Sequence, residues 1–258
     1  MDDYRRKLRL VKIWTIIAQV SLFFIFIFLW EVLVNLGVLN EFIVSKPSAI
    51  YKLFVTYIKN GALINHIKVS VCEAIIGLVI GTSLGILIAI VLWWNKFIAK
   101  VLDPFLVVLN ALPKTALAPI FIIWAGTGMN GIIVVSISLS LVMTIMSAHA
   151  AFCEVDEEKV KMLKTYGAGK MATFTKLTFP SSIPSLLNLL KINIGMSWVG
   201  VIVGEFIVSR EGIGYLVVYG GQVFRLDLVM MGVVILAFIA LVMYLLVAWI
   251  ERIYKNKY

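Results

Sequence analysis

Long apolar runs separated by short polar stretches set the pattern of this chain. Six of them, at residues 13–36, 69–94, 101–125, 132–152, 185–208 and 228–250, are long enough to cross a bilayer. A helix rising about 1.5 Å per residue needs roughly 20 apolar residues to span a hydrocarbon layer of about 30 Å. Solid runs, without period-two alternation, predict helices and argue against β-barrel strands, because unpaired backbone groups are too costly in hydrocarbon. The expected fold is all-α: a polytopic membrane protein with six transmembrane helices. Basic residues precede the first run, but it is too long for a signal peptide and lacks a small-residue cleavage site, so it reads as a retained helix.

Departures from the plain apolar pattern are where function is sought. In the external stretch 37–68, the segment VSKPSAIYKLFVTYIKNG predicts a proline-started helix with aromatic anchors lying along the membrane surface. The second run carries Gly77, Gly81, Gly85 and Ala89 at four-residue spacing. Small side chains along one face suit close helix packing, or a contact that slides in a moving transporter. The third run contains Pro113 and Pro119, each expected to remove a helix hydrogen bond. A discontinuous helix is tolerated where protein or a water-filled cavity receives the freed backbone groups, as at transporter substrate sites. Lys114 beside the first break either faces such a cavity or snorkels to the interface. Glu205 is the carboxylate expected within the otherwise apolar fifth run, near its external end, as part of a gate or paired with an outer-loop cation.

Composition agrees with the pattern: the chain is 62% hydrophobic and 14% charged. The formal net charge of +9 does not point to nucleic acid. The basic residues gather at one side: Arg5, Arg6, Lys7, Arg9 and Lys12; Lys96 and Lys100; Lys159, Lys161, Lys164, Lys170 and Lys176; Arg252, Lys255 and Lys257. Fewer fall on the other side (Lys46, Lys52, Lys59, Lys68, Arg210 and Arg225). That bias predicts a multi-pass cell-membrane protein with both termini cytoplasmic. Cys72 and Cys153 read as free small hydrophobes.

Catalytic patterns fail on context. The stretch GTSLG around Ser83 fits a hydrolase nucleophile motif, but it falls in mid-helix and the chain's histidines, His66 and His149, lie elsewhere. No phosphate-cradling G-x-x-x-x-G-K-[ST] and no Cys/His metal spacing occurs, so no cofactor is expected in this chain.

The loop at 153–184 is the conspicuous interruption. Its acidic start, Glu154, Asp156, Glu157 and Glu158, favours a helix N-terminus, and Val160, Leu163 and Tyr166 follow at helical spacing. Gly167 is expected to end that helix. A second short helix over 170–178 would present Met171, Phe174 and Leu177 on one face and close at Phe179–Pro180. This predicts a helix–turn–helix with an exposed apolar stripe, either seated on the membrane or awaiting a partner.

The spacing of Gly167, nine residues, then Leu177-Thr178-Phe179-Pro180 resembles the signature loop of ABC importer permeases, E-A-A-x3-G-x9-I-x-L-P. Lys161-Met162-Leu163 occupies the E-A-A positions and departs from them. ALPKTALAPIFIIWAGTGMNGII at 111–133, with YGAGK, FPSSIP and EGIGYLV, resembles the nitrate/sulfonate/taurine/bicarbonate branch. The likeness covers about 65–250, leaving 1–64 as an added helix with its external segment and 251–258 as a cytoplasmic tail.

The resemblance implies a type I importer fold and a permease that is not itself an enzyme. ATP and Mg would be bound by a partner ATPase, present in two copies beside a second copy of this permease and an extracytoplasmic substrate-binding protein. It implies coupling through Lys161, Leu163, Tyr166, Gly167, Ala168, Phe174, Leu177 and Pro180. Relatives in that branch carry sulfonates, nitrate, bicarbonate or thiamine-pyrimidine and other vitamin precursors. A secondary transporter or channel is the rival reading, against which stands the lack of a run of Asp, Glu or His inside the spans.

Overall fold

Hydrocarbon offers the backbone no partner but itself, and every described element of the chain is a helix. The computed structural model describes residues 2–257, leaving aside the side chains of residues 2–9, 12, 16 and 255–257. The basic side chains of Arg5, Arg6, Lys7, Arg9, Lys12, Lys255 and Lys257, which contribute to the predicted orientation, lie outside the described residues. The helices are α1 (Asp2–Asn35), α2 (Glu41–Val44), α3 (Pro47–Lys59), α4 (Ala62–Trp94), α5 (Lys96–Ala111), α6 (Ala118–Ala125), α7 (Met129–Cys153), α8 (Glu157–Thr165), α9 (Lys170–Thr173), α10 (Phe179–Val208), α11 (Ile213–Gln222) and α12 (Leu226–Lys257). A π-helical turn, Phe174–Thr178, joins α9 to α10.

Among the described residues, five helical segments are long and apolar enough to cross a membrane: Ile13–Asn35, Ala62–Trp94, Met129–Cys153, Lys170–Val208 and Leu226–Tyr254. The third apolar run is divided. Leu112 takes extended dihedrals (φ −65°, ψ 140°) ahead of Pro113, as a residue before proline tends to, and α5 stops there. Pro119 breaks nothing. It lies in the first turn of α6, where the missing N–H has no carbonyl to serve, so it starts a helix. Pro104, by contrast, is absorbed inside α5.

The expected stop at Phe179–Pro180 is also corrected, because the chain stays helical from Lys170 to Val208, through both Pro180 and Pro184. The π turn resets the hydrogen-bond ladder just before Pro180, with the Phe179 N–H donating to the Phe174 carbonyl. The Ser181 hydroxyl then donates to the Leu177 carbonyl at 2.5 Å, and the Ser182 hydroxyl to the Thr178 carbonyl at 2.8 Å. These side chains satisfy carbonyls near a proline that has no N–H of its own.

The chain forms two compact units, Met1–Leu63 with Val217–Val233, and Ile64–Leu216 with Val234–Tyr258. In the first, the Glu31 carboxylate on α1 accepts from the Ser48 hydroxyl (2.8 Å) and backbone N–H (3.1 Å), meeting orphan donors at the start of α3. The indole of Trp30 donates to the Ser45 carbonyl at 3.2 Å.

In the second unit, α4, α7 and α10 share a seam of small and hydroxyl residues. A Cβ at Gly77, Gly81 or Gly85 would lie under 3.0 Å from Ser136, Ser140 or Thr144 respectively, so α7 fits into the groove those glycines leave. Gly200 of α10 faces the backbone of Ser136 in the same way. Hydroxyls and an amide join the helices: Ser136 to Ser197 (2.9 Å), Ser197 to the Ala74 carbonyl (2.7 Å), and Asn193 to Thr82 and Thr144 (2.9 and 2.8 Å). Trp198, Val201, Ile132 and Ala74 fill the apolar space beside the seam.

Candidate functional site

The interruption between α7 and α10 is built as a rigid bracket. The Asp156 side chain accepts from the Glu158 N–H at 2.9 Å and caps α8, an arrangement of about 1 kcal/mol. At the other end Gly167 adopts φ +79°, its N–H donating to the Lys164 carbonyl (2.9 Å) while that of Ala168 donates to Leu163 (3.1 Å). This paired C-terminal cap needs a left-handed residue, which glycine supplies without steric cost.

The predicted stripe does not lie on one exposed face. Phe174 is only 8% exposed and sits among Trp93, Phe152 and Phe179, with ring centroids 4.9, 5.6 and 5.9 Å away. It anchors the bracket to α4 and α7; aromatic pairs of this kind add about 0.5–1.5 kcal/mol each beyond burial. Val160, Leu163 and Leu177 are half-buried, and Pro180 is half-buried with its carbonyl accepting from Tyr254 at 3.3 Å. What stays outward is Met162, Tyr166 (82% exposed) and Met171, while Lys161 lies 3.8 Å from Glu157 on another face of α8. Helical period revealed which residues share a face, not which face is covered, so sequence reasoning placed Phe174 outward and passed over Met162.

The pathway candidates are dispersed. Pro113 lies exposed in the connection at 112–117, and the half-buried Lys114 donates to Asn110 Oδ1 at 3.1 Å, on the helix just left. Pro119 is exposed at the start of α6.

Glu205 is 1% exposed, and among the described residues its carboxylate meets a hydroxyl and a backbone N–H, not a lysine or arginine. One of its carboxylate oxygens accepts from the Ser70 hydroxyl and the other from the Gly214 N–H, both at 2.5 Å. Ser70 in turn accepts from the Ile213 N–H at 2.8 Å, and His66 Nδ1 from the Gly212 N–H at 3.0 Å. A Cβ at Gly212 or Gly214 would run into the Glu205 side chain. The EGIG segment is thus held beside Glu205 by three backbone donors, one each to His66, Ser70 and Glu205. Glu73 on α4 is also 1% exposed, and its Oε2 is buried without a hydrogen-bond partner. Sequence reading singled out Glu205 within the fifth run and passed over Glu73, which lies inside the second run at 69–94.

Comparison with known proteins follows this geometry. The family model for binding-protein-dependent transport system inner membrane components matches residues 77–257. A probable ABC transporter permease protein of Haemophilus influenzae is 27% identical over 95% of this chain and 96% of its own. A putative aliphatic sulfonates transport permease protein of Bacillus subtilis is 26% identical over 83% of this chain and 77% of its own. A formylaminopyrimidine transport permease protein of Halalkalibacterium halodurans is 26% identical over 76% and 78%. Among solved structures, a chain of the MetNI methionine ABC transporter in an inward-facing conformation superposes with a TM-score of 0.67 at 14% identity, covering 75% of this chain and 96% of that one. That likeness concerns the fold.

Proposed function

This chain belongs to the binding-protein-dependent transport system inner membrane components, and we propose that, as an ABC importer permease of type I, it couples to its ATPase through α8, Gly167 and α9. The observation that carries this is the outward ridge of Met162, Tyr166 and Met171, held on a bracket whose other side is fixed by Phe174. Exposed apolar residues on a rigid polar-loop element need a partner. The bracket continues without a break into α10, so displacement at its tip reaches the membrane bundle as a lever.

The assembly has two copies of this chain, two ATPases that hold ATP and Mg, and an extracytoplasmic substrate-binding protein. Read as a broken sixth crossing, α5 and α6 together would leave both termini on one side, and the bias of basic residues assigns that side, with α8 and α9, to the cytoplasm. Glu205 and the EGIG segment then lie at the external end of the bundle, where the binding protein delivers solute. The cargo is an organic sulfonate-type anion. Similarity to a sulfonates permease supports this, as does Lys114 beside the helix break.

Gentle detergent extraction of the tagged chain from its own host, with mass spectrometry of whatever accompanies it, tests the reading. An ATPase bearing G-x-x-x-x-G-K-[ST] is expected to co-purify. A chain that stays alone after cross-linking refutes the coupling role. The accompanying binding protein is expected to retain a sulfonate over a formylaminopyrimidine; the reverse preference refutes the cargo.

A further inference from the structure

Behind α8, on the side turned away from the outward ridge, lies a cavity of about 630 Å³. Its floor is apolar, with Leu92 and Phe152 buried at 2% and 1% exposure. Its walls carry four ammonium groups, Lys96, Lys161, Lys164 and Lys170, and one carboxylate, Glu157. Glu157 lies 3.8 Å from Lys161, which leaves the cavity with an excess of positive charge. Lys170 is fixed: its ammonium donates to the Trp94 carbonyl and lies over the Trp93 and Trp94 rings at 5.6 and 5.4 Å. Those tryptophans end the 33-residue apolar helix α4, the position at which an aromatic belt marks the membrane–water boundary.

We infer that this cavity binds the phosphate of an anionic phospholipid headgroup. Cations lining a pocket over an apolar floor, beside tryptophans at the end of a spanning helix, fit a ligand with a phosphate at one end and hydrocarbon at the other. A free phosphate would use the lysines and leave the floor empty. Residues 157, 160, 161 and 164 share the cavity face of α8. Met162 and Tyr166 are exposed away from it, so lipid and protein partner occupy different faces of one helix. A bound headgroup would tie α8 to the α4–α5 junction and brace the bracket from behind. The inference rests on the reading of α8 and α9 as the coupling segment at the inner membrane face.

The test is native mass spectrometry of the full chain in mild detergent, with phosphatidylglycerol or phosphatidylcholine added. The chain is expected to retain phosphatidylglycerol in preference by about tenfold or more, as several lysines at the surface potential of an anionic leaflet would give. Millimolar inorganic phosphate is not expected to displace it. The Lys96→Gln/Lys164→Gln double variant is expected to lose most of the preference, and Lys164→Gln alone, on an exposed helix, part of it with no change in thermal unfolding. An unchanged preference in both variants overturns the site, and phosphate binding without lipid preference overturns the headgroup assignment. The readout needs no ATPase. A chain that retains the lipid selectively yet recruits no ATPase keeps the cavity assignment and removes the coupling reading.

Discussion

Gly167 and Glu205 each hold a connection in place through backbone geometry. At Gly167 a Cβ would meet nothing within 4 Å, so space is not what requires glycine there; φ +79° is. Gly167→Val should therefore insert normally while distorting the turn between α8 and α9, since a β-branched residue in the left-handed region costs on the order of 1–2 kcal/mol or more. ATP hydrolysis is expected to continue without uptake. Gly167→Asn, which tolerates that region, is expected to retain most uptake. Parallel ATPase and uptake assays on both variants check this, and normal uptake by the valine variant would sink the coupling assignment. Glu205→Ala leaves the Ser70 hydroxyl and the Gly214 N–H without their acceptor in a buried site. A loss of about 2–4 kcal/mol is expected, together with release of the EGIG segment. Thermal unfolding in detergent and protease cleavage near residue 212 measure the two effects separately.

At the scale of elements, small residues decide how α4, α7 and α10 meet, and one helix contains its own control. A Cβ on Gly200 would sit under 3.0 Å from the Ser136 backbone, whereas one on Gly195 would meet nothing within 4 Å. Gly200→Ala should destabilise by about 1–3 kcal/mol through overpacking. Gly195→Ala should be neutral or stabilise by up to about 1 kcal/mol through helix propensity. Equal melting temperatures for the two would show that the seam does not depend on close approach. The Gly77, Gly81 and Gly85 face of α4, like the start of α3 at Pro47, was readable because spacing and local chemistry act within one helix. The course of α10 through Pro180 was not, because the outcome depended on a π turn and on Ser181 and Ser182 serving carbonyls nearby. Pro119 misled for the opposite reason: an N-terminal and an interior proline look alike until the helix start is known. Glu73, and the burial of Phe174 against Trp93 and Phe152, were missed on a third ground, since a partner on another helix is not written in a residue's own neighbourhood.

For the whole molecule, the question is whether the bracket recruits a partner, transmits its motion, or does both through separable residues. Tyr166 is 82% exposed and Phe174 is 8% exposed, although both belong to the same short segment. Tyr166→Ala removes outward apolar surface without opening a cavity, so it should weaken ATPase capture and leave the fold intact. Phe174→Ala leaves a void among Trp93, Phe152 and Phe179, with a cost of about 3–5 kcal/mol for a fully packed site. The tip of the bracket keeps its outward residues in that variant, so the ATPase should still bind. The lever, however, loses its fixed point against α4 and α7, and hydrolysis should no longer drive the bundle. Pull-down yield of the ATPase, read beside uptake per ATP in reconstituted vesicles, separates these outcomes. The tyrosine variant should lower the first with the second unchanged in what assembles, and the phenylalanine variant should preserve the first and collapse the second. If Phe174→Ala transported at the normal ratio, motion would have to reach the membrane by a route other than the α9–α10 rod. The continuity of Lys170–Val208 would then be a matter of packing alone.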